Sequence, residues 1–400
     1  MGITMRLSVP DYVPDPQTEI RKAARDILAS IYYDINQVCL MRVKVVWDPT
    51  EENAVRYRSQ FQESEALMDM LVAPVLDPET YDIPDPSGTV KRLEEFMKRF
   101  RFRLLAMCSL AEGFRRACCG ISDEVWAEFL HLVKENQRSL NVFARTRDLD
   151  WQGPLLKYAK LGVKVIDEAL RPSATMSNQH PHHNFLNLDE KVKRPKFSKQ
   201  QQIHVDEYVI DPLKWKGKHP LVDPTLRIDP YFDEEGYYNY GDGHCDICGS
   251  RKTCACELDF LPGSLLELVE REGTGTGVRT LAKVRKDDML GHFIGEICPP
   301  GFEEEETYSL SLKSKTTDGF RAVITPAKYG NWTRFMAHSC KNNVEFVPRT
   351  VGKRIVMAIE ATRDIEAFED IKISYGDAYW EGKTCLCGED NCISKRKKTA

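Results

Sequence analysis

The sequence predicts an α+β protein in which a helical N-terminal domain precedes a β-rich C-terminal domain of short strands. Three observations support this fold class. Apolar residues recur at three- and four-residue spacing through residues 1–171, which is the pattern of amphipathic helices. Residues 172–240 have no sustained period and are rich in Pro, His and Asp. From residue 261 onward, short apolar runs alternate with Gly, Asp and Lys, as is typical of short strands.

The helical domain is predicted to contain five helices. The first follows Thr18, whose hydroxyl is placed to cap it, and the third spans residues 89–119 without interruption. The others are expected over residues 51–72, after Ser122, and over residues 155–170. The cysteines in these patterns are expected to behave as small buried apolar residues: Cys39, Cys108, Cys118 and Cys119.

The composition narrows the class of protein. A net charge of −5 argues against a generally basic nucleic-acid binder, and no run of 18 apolar residues predicts a membrane span. The Pro- and Asp-rich N-terminus lacks the apolar core of a secretory signal. Thirteen cysteines, an odd number with two tight clusters, suit a reducing compartment in which thiols bind metal.

Residues 172–240 are expected to form an extended linker that lies over a neighbouring surface. The basic run at residues 191–199 has three interpretations, which are a nuclear-import signal, a phosphate contact or a solvated segment. The basic tail at residues 395–398 permits the same three. The acidic run at residues 303–306 is either a solvated turn or a surface that attracts a basic peptide.

Seven strands are predicted in the C-terminal half, with no regular alternation of helices. They are expected at residues 265–269, 278–284, 289–294, 308–312, 320–324, 355–359 and 371–374.

Two groups of cysteines have spacings that suit zinc. The first, C-x2-C-x5-C-x-C, puts four thiols within twelve residues and can complete a tetrahedral site, unless it is a reduced loop of free thiols. The second, C-x-C-x4-C near the C-terminus, supplies three thiols, so the fourth ligand must come from elsewhere, with Cys340 as the best candidate. The two predicted sets are Cys245, Cys248, Cys254 and Cys256, and Cys340, Cys385, Cys387 and Cys392.

Four motifs in this order resemble the SET domain of protein lysine methyltransferases. They are the segment with G-x-G and G-E at residues 275–297, R-F-M-A-H-S-C at 334–340, Y-G-D at 375–377, and the C-x-C-x4-C loop. The resemblance covers roughly residues 245–392 and implies a pre-SET-like zinc loop (241–260), a SET domain (261–380) and a post-SET zinc loop with a basic tail (381–400). It also implies S-adenosylmethionine as the cofactor.

The resemblance implies roles for individual residues. Tyr375 aligns with the catalytic tyrosine, and Tyr308 is placed either to line the lysine channel beside it or to fill the core. Ile373 and Phe335 would form walls of the substrate channel. The cofactor would contact Gly275, Thr276, Gly277, Arg334, Phe335, Ala337, His338 and Trp380. Three of these residues have a structural alternative. The G-x-G could form a tight turn between strands, and Trp380 could simply anchor the tail. The His338 ring could be a buried structural group.

Three positions depart from the family pattern. Ala337 replaces an asparagine that helps hold the amino-acid end of the cofactor, and loss of that hydrogen bond would cost about 1.5–3 kcal/mol, or roughly ten- to a hundredfold in affinity. Asn331 is a candidate to take over the contact. Thr325 replaces an acidic residue common in the family. Ile373 stands where the family has Tyr or Phe, and because it is smaller and has no hydroxyl, we expect more than one methyl group to be added.

The sequence therefore predicts a protein-lysine N-methyltransferase of the nucleus and chromatin that binds two zinc ions. A histone tail is the leading substrate class, and the helical domain is a candidate surface for a chromatin or other protein partner. The alternative is a catalytically weakened SET module that serves as an interaction scaffold in chromatin. A small-molecule methyltransferase is disfavoured because the doubly wound α/β pattern is absent.

Overall fold

The computed structural model describes residues 16–76, 87–147, 184–186, 196–197, 200–201, 203–215, 244–252, 254–258, 260, 265–272, 275–299, 309–313, 320–352 and 354–395. The chain forms two compact units, Met1–Ala174 and Thr175–Ala400, which are described separately. Three predicted features lie outside the described residues: the helix at 155–170, the acidic run at 303–306 and Tyr308. None of the described helices combines the length and apolar character needed to cross a bilayer.

The described part of the first unit is helical, as predicted. Its helices are α1 (Pro16–Trp47), α2 (Glu51–Leu76), α3 (Thr89–Ser109), α4 (Glu112–Gly120) and α5 (Asp123–Thr146). Thr18 lies inside the first turn of α1, so its predicted capping role is wrong; Pro16 is tolerated there because its missing N–H would have no intrahelical partner. Ser122 precedes α5, and its Oγ accepts a hydrogen bond from the Val125 N–H at 3.4 Å, as expected of a cap.

The predicted third helix is interrupted at two places: Arg101 inside α3 has non-helical backbone angles (φ 69°, ψ 168°), and a break separates α3 from α4. The break allows α4 to dock against α1, where the Gly113 N–H donates a hydrogen bond to the Asp34 carboxylate at 2.8 Å. A Cβ at Gly113 would lie 1.9 Å from Ser30 Oγ, so only glycine permits this approach. Apolar periodicity is continuous through the break, which is why the sequence alone does not reveal it.

An aromatic cluster fills the core of the helical unit. Phe96 is fully buried and contacts Phe114 and Trp126, with ring centroids 4.9 and 6.5 Å away. Cys108 and Cys118 are buried as predicted, and burial raises the pKa of both thiols. Cys119 is exposed, contrary to the prediction, because it lies at the solvent-facing end of α4.

The second unit is β-rich, which together with the helical first unit confirms the predicted α+β class. Its described strands are β1 (Asn184–Leu186), β2 (Lys196–Phe197), β3 (Gln200–Gln201), β4 (Ile203–His204), β5 (Val209–Ile210), β6 (Leu266–Arg271), β7 (Gly275–Thr280), β8 (Met289–His292), β9 (Glu296–Cys298), β10 (Leu310–Lys313), β11 (Phe320–Thr325), β12 (Tyr329–Gly330), β13 (Ala337–His338), β14 (Val344–Val351), β15 (Arg354–Ala361) and β16 (Lys372–Ile373). The described residues of this unit also form a short helix, α6 (Pro212–Trp215), and 3-10 turns at Trp332–Phe335 and Ala378–Trp380.

Three sheets build the core of this unit. Their strand orders are β13-β16-β14-β15-β8, β10-β11-β9-β5 and β1-β6-β7, and two further pairs join β4 to β12 and β2 to β3. Strand β14 is eight residues long and was not predicted, because charged residues and Pro348 interrupt its apolar pattern. Beyond Val344, β14 has only β15 as a described neighbour, so the proline occupies a position like that of an edge strand.

Part of the predicted linker is built into the β-rich unit. Strand β4 pairs with β12 and strand β5 pairs with β9, in both cases in parallel. Trp215 is 4% exposed and lies in the hydrophobic core, where its Nε1–H donates to the Ile297 carbonyl at 3.0 Å. Beside it, Lys214 Nζ lies 2.7 Å from Glu296 Oε1. Two-residue strands that pair with distant partners produce no local period, so the sequence gives no sign of them.

Candidate active site and metal centres

The G-x-G motif lies at the start of β7, in a hairpin with β6. Glu267, which is fully buried, holds Arg279 across the two strands at 2.6 Å, and this ion pair fixes the base of the hairpin. Gly275 has φ +81°, and a Cβ there would meet nothing within 4 Å. Gly277 is half-buried. Among the described residues, the space beside the Gly275 backbone is therefore open to a ligand.

Asn331 organises the turn that leads into the R-F-M-A-H-S-C segment. Its Oδ1 accepts hydrogen bonds from the N–H and hydroxyl of Thr333 at 3.1 and 2.6 Å, and its Nδ2 donates to the His292 carbonyl at 3.0 Å. The side chain is 8% exposed. Asn331 is thus a capping residue of the 3-10 turn, and its amide is already used, so the idea that it replaces the family asparagine at the cofactor is wrong.

Arg334 and Phe335 point into the unit rather than into solvent. Arg334 is 5% exposed, and burial lowers the pKa of its guanidinium to about 9. Its Nη1–H donates to the Ala327 carbonyl at 3.4 Å. A Cβ at Gly330 would lie 2.6 Å from the guanidinium, so glycine there makes room for the arginine. Phe335 is 6% exposed and belongs to the same hydrophobic core as Ile373.

Ala337 and Ile373 lie on paired strands. In the parallel pairing of β13 with β16, Ala337 is opposite Lys372 and His338 is opposite Ile373. Ile373 is 1% exposed, whereas Ala337 is half-buried. A longer side chain at 337 would therefore extend toward accessible space, whereas one at 373 would press on the core.

Tyr375 is held at both its hydroxyl and its backbone. The phenol donates a hydrogen bond to the Met336 carbonyl at 2.6 Å, and the Tyr375 N–H donates to His338 Nδ1 at 3.1 Å. The His338 ring lies 4.6 Å from Trp380, whose ring stacks with Tyr375 at 6.5 Å. Burial lowers the pKa of the His338 imidazole. Met336 was missed by sequence reasoning because it contributes a backbone carbonyl, which leaves no pattern in the sequence.

The C-terminal cysteines converge on the same region. The ligand atoms of His338, Cys340, Cys385 and Cys387 all lie within 4.8 Å of one another. Cys392 belongs to the same buried cluster, with its Sγ 3.5 Å from the Cys385 carbonyl oxygen. The cluster therefore offers five donors for a four-coordinate ion, and sequence reasoning did not anticipate the histidine.

The other four cysteines form a compact set of their own. The Sγ atoms of Cys245, Cys248, Cys254 and Cys256 lie within 4.8 Å of one another, which suits a tetrahedral zinc ion. This loop is attached to the turn between β14 and β15. The Asp246 N–H donates to the Thr350 carbonyl at 2.8 Å, the Thr350 N–H donates to the Asp246 carboxylate at 2.8 Å, and the Cys254 N–H donates to the Gly352 carbonyl at 3.1 Å.

Comparison with protein families matches residues 275–376 to the SET domain. The chain therefore contains a SET domain, which confirms the resemblance that its motifs suggest. A "SET domain-containing protein" of Phaeosphaeria nodorum is 27% identical over 79% of this chain and 49% of its own length. The "Histone-lysine N-methyltransferase, H3 lysine-36 specific" of Cryptococcus neoformans is 27% identical over 40% of this chain and 22% of its own length.

Among solved structures, the methyltransferase domain of the human histone-lysine N-methyltransferase SETMAR is 19% identical, with a TM-score of 0.33, and the match covers 50% of this chain and 90% of that one. The present chain spans about half of the Phaeosphaeria relative and less than a quarter of the Cryptococcus relative.

Proposed function

We propose that the chain is an S-adenosylmethionine-dependent protein-lysine N-methyltransferase. The observation that carries this proposal is the environment of Tyr375, whose phenol is fixed by the Met336 carbonyl at 2.6 Å inside a group of aromatic rings. The residue is also held at its backbone, where the Tyr375 N–H donates to His338 Nδ1 at 3.1 Å. The SET domain at residues 275–376 supports the same activity.

The chemistry requires a neutral lysine amine in a narrow channel. A free lysine has a pKa near ~10.4, and an apolar wall lowers it because burial disfavours the charged ammonium. The rings of Tyr375, Tyr379 and Trp380 lie within 4.9–6.5 Å of one another and would exclude water from the amine. The phenol oxygen of Tyr375 would orient the amine, since its own proton is committed to Met336.

The residues present fit the cofactor. The open backbone at Gly275 and Gly277 leaves room for close approach, and the half-buried Ala337 and His338 offer a polar backbone beside it. Trp380 is half-buried and would cover an adenine or a methionine chain. When bound, S-adenosylmethionine supplies an electrophilic methyl group on a sulfonium. The chain's contribution is position, because an in-line displacement depends on alignment.

Two zinc ions belong to this proposal. One is assigned to Cys245, Cys248, Cys254 and Cys256, and the other to Cys340, Cys385, Cys387 and Cys392. The ligand atoms of the first group lie within 4.8 Å of one another, as do those of Cys340, Cys385 and Cys387, and Cys392 belongs to the same buried cluster as these three; both observations support the assignment. The second ion would connect the C-terminal tail to the segment that carries His338, and so complete one side of the pocket.

The substrate in this proposal is a histone tail, and the site of action is chromatin in the nucleus. The similarity to a relative named for histone H3 lysine-36 supports the substrate class. Tyr308 is assigned to the lysine channel by its alignment. Ile373 supports the addition of more than one methyl group, because it offers no hydroxyl to hold a water where a second methyl must fit.

A second candidate function is favoured by Ala337. Without the family asparagine, the chain would bind the cofactor weakly and act as a SET module that holds protein partners, with the helical unit as the contact surface. The two functions differ in one measurable property, which is affinity for S-adenosylmethionine.

The experiment is calorimetric titration with S-adenosylmethionine, followed by methyl transfer to core histones with labelled cofactor. Tyr375→Phe should bind the cofactor like the unchanged chain and lose about a hundredfold or more in transfer rate, a typical loss when a positioned catalytic group is removed. Tyr379→Phe, in the same aromatic group, is the control and should retain most of the rate. Absence of binding heat at high protein concentration would support the scaffold instead.

A further inference from the structure

His338 has a hydrogen-bond partner at each ring nitrogen. Its Nδ1 lies 3.1 Å from the backbone nitrogen of Tyr375, and its Nε2 lies 3.4 Å from Cys340 Sγ. A backbone N–H can only donate, so Nδ1 is the acceptor and carries no proton. In a neutral imidazole the proton then sits on Nε2 and points at the cysteine sulfur.

This tautomer decides which of the five clustered donors bind metal. A nitrogen that carries a proton has no lone pair for an ion, so His338 is excluded although one of its ring nitrogens lies within 4.8 Å of three cysteine sulfurs. The fourth ligand is then Cys392, which is 3% exposed and belongs to the same cluster. The Ile393 N–H, 3.3 Å from Cys340 Sγ, adds a second donor to that sulfur.

We propose that His338 is a positioning residue that joins the C-terminal zinc ion to the catalytic tyrosine. Its Nε2–H donates to the Cys340 thiolate, and its Nδ1 accepts from the Tyr375 backbone. The ring is fixed between Trp380 and Tyr375, whose centroids lie 4.6 and 5.3 Å away. Hydrogen bonds to the ligands of a metal change its affinity by about ten- to a hundredfold when removed. Loss of the ion would therefore release the tyrosine backbone, and loss of the ring would loosen the ion.

The proposal rests on the zinc assignment in the proposed function, and two substitutions separate its two bonds. In His338→Asn, the side-chain amide reaches about as far as Nδ1, so it can accept from the tyrosine backbone but cannot reach the sulfur. In His338→Gln, the amide reaches about as far as Nε2, so it can donate to Cys340. Each variant thus keeps one of the two hydrogen bonds of His338: the asparagine keeps the bond to the Tyr375 backbone, and the glutamine keeps the bond to Cys340.

The experiment measures zinc release from the full chain to a chromogenic chelator, which needs no methyl transfer. Two ions per chain should leave in two phases, and Cys387→Ser identifies the C-terminal phase by abolishing it. We expect His338→Asn to accelerate that phase about ten- to a hundredfold, and His338→Gln to stay within about threefold of the unchanged chain. The other ion, on Cys245 and its partners, serves as the internal control.

Each other outcome overturns a defined part of the proposal. If two ions are present and both variants release zinc at the same rate as the unchanged chain, the proposed role of His338 is overturned but the zinc assignment is not. If His338→Asn and His338→Gln both lose the C-terminal ion while Cys392→Ser keeps it, His338 is itself a zinc ligand and the proposal is wrong. A content of one ion per chain that Cys387→Ser does not reduce overturns the C-terminal zinc assignment, and with it the proposed role of His338, whatever the methyl-transfer assay gives.

Discussion

At position 337 the side chain is a single methyl group, half-buried and opposite Lys372 in the strand register. Asn331 cannot compensate for it, because its amide is used by the turn that it caps. We therefore expect Ala337→Asn to strengthen S-adenosylmethionine binding by about ten- to a hundredfold, which corresponds to one restored charge-assisted hydrogen bond. Calorimetry measures the change.

The matched control is Ala337→Leu, whose side chain has the same number of heavy atoms as asparagine, branched at the same carbon, but no polar atoms. It should leave the affinity unchanged or lower it. If Ala337→Asn binds no more tightly than the leucine variant, the pocket is built around a small residue, and the scaffold function gains support.

Ile373 is predicted to set the number of methyl groups added in the proposed reaction. Because it is 1% exposed, a larger side chain must displace core neighbours at a cost of about 1–3 kcal/mol. We expect Ile373→Tyr to shift the products toward monomethyl-lysine, since the hydroxyl can hold a water where a second methyl must fit. Ile373→Phe adds the same bulk without the hydroxyl and should still give higher methylation.

Mass spectrometry of histone peptides over time decides between these outcomes. Accumulation of monomethyl product by the unchanged chain under excess cofactor would contradict the idea. So would identical product distributions from the tyrosine and phenylalanine variants, because they differ only in the hydroxyl.

Residues that act through their side chains could be proposed from the sequence, whereas those that act through backbone atoms could not. The motifs pointed to Tyr375 and to the thiols of both clusters, because these groups have spacing and chemistry visible in the letters. Met336 contributes a carbonyl oxygen, which every residue has. The position of His338 beside Cys340 depends on how the segment turns, and neither residue type reveals that.

At the scale of elements, the first cysteine cluster depends on the turn between β14 and β15. Gly352 has φ +66°, and a Cβ there would lie 2.4 Å from the Cys256 carbonyl oxygen. We expect Gly352→Ala to displace the cysteine loop and to lower the zinc affinity of the first cysteine cluster. The contact is with a backbone oxygen, which cannot move aside as a flexible side chain can. Zinc release and the midpoint of denaturant unfolding measure the effect.

Gly249 offers a matched control within the same loop. It has φ +71°, but a Cβ there would meet nothing within 4 Å. Gly249→Ala should therefore cost only the left-handed backbone strain, about 1–2 kcal/mol, and leave zinc release close to normal. Similar losses in both variants would mean that strain alone, and not the contact with Cys256, explains the effect.

The elements differ in how visible they are in the sequence. Long helices such as α1 and α2 repeat one pattern many times, so their existence follows from periodicity. The break before α4 comes from a tertiary contact at Gly113, and β14 is hidden by Pro348 and charged residues. Contacts between residues far apart in the chain override or mask the local pattern in these cases.

At the scale of the whole molecule, the segment at residues 203–215 is the least expected part of the β-rich unit. It carries Pro, Asp and aromatic residues without a period, yet it adds strands to two pairings and places Trp215 in the core. Its neighbour Leu213 is 76% exposed although both belong to α6. The two residues therefore allow a direct test of whether this segment stabilises the unit.

We expect Trp215→Ala to destabilise the β-rich unit by about 3–5 kcal/mol, the usual cost of removing a buried large aromatic side chain. The Ile297 carbonyl would also lose its donor. Leu213→Ala, in the same helix, should stay within about 0.5 kcal/mol of the unchanged chain. Denaturant unfolding gives the size of the change. Hydrogen exchange in β9 gives its location, because β5 pairs with that strand directly. Equal stability of the two variants would show that residues 203–215 lie on the unit without supporting it, as the predicted linker would.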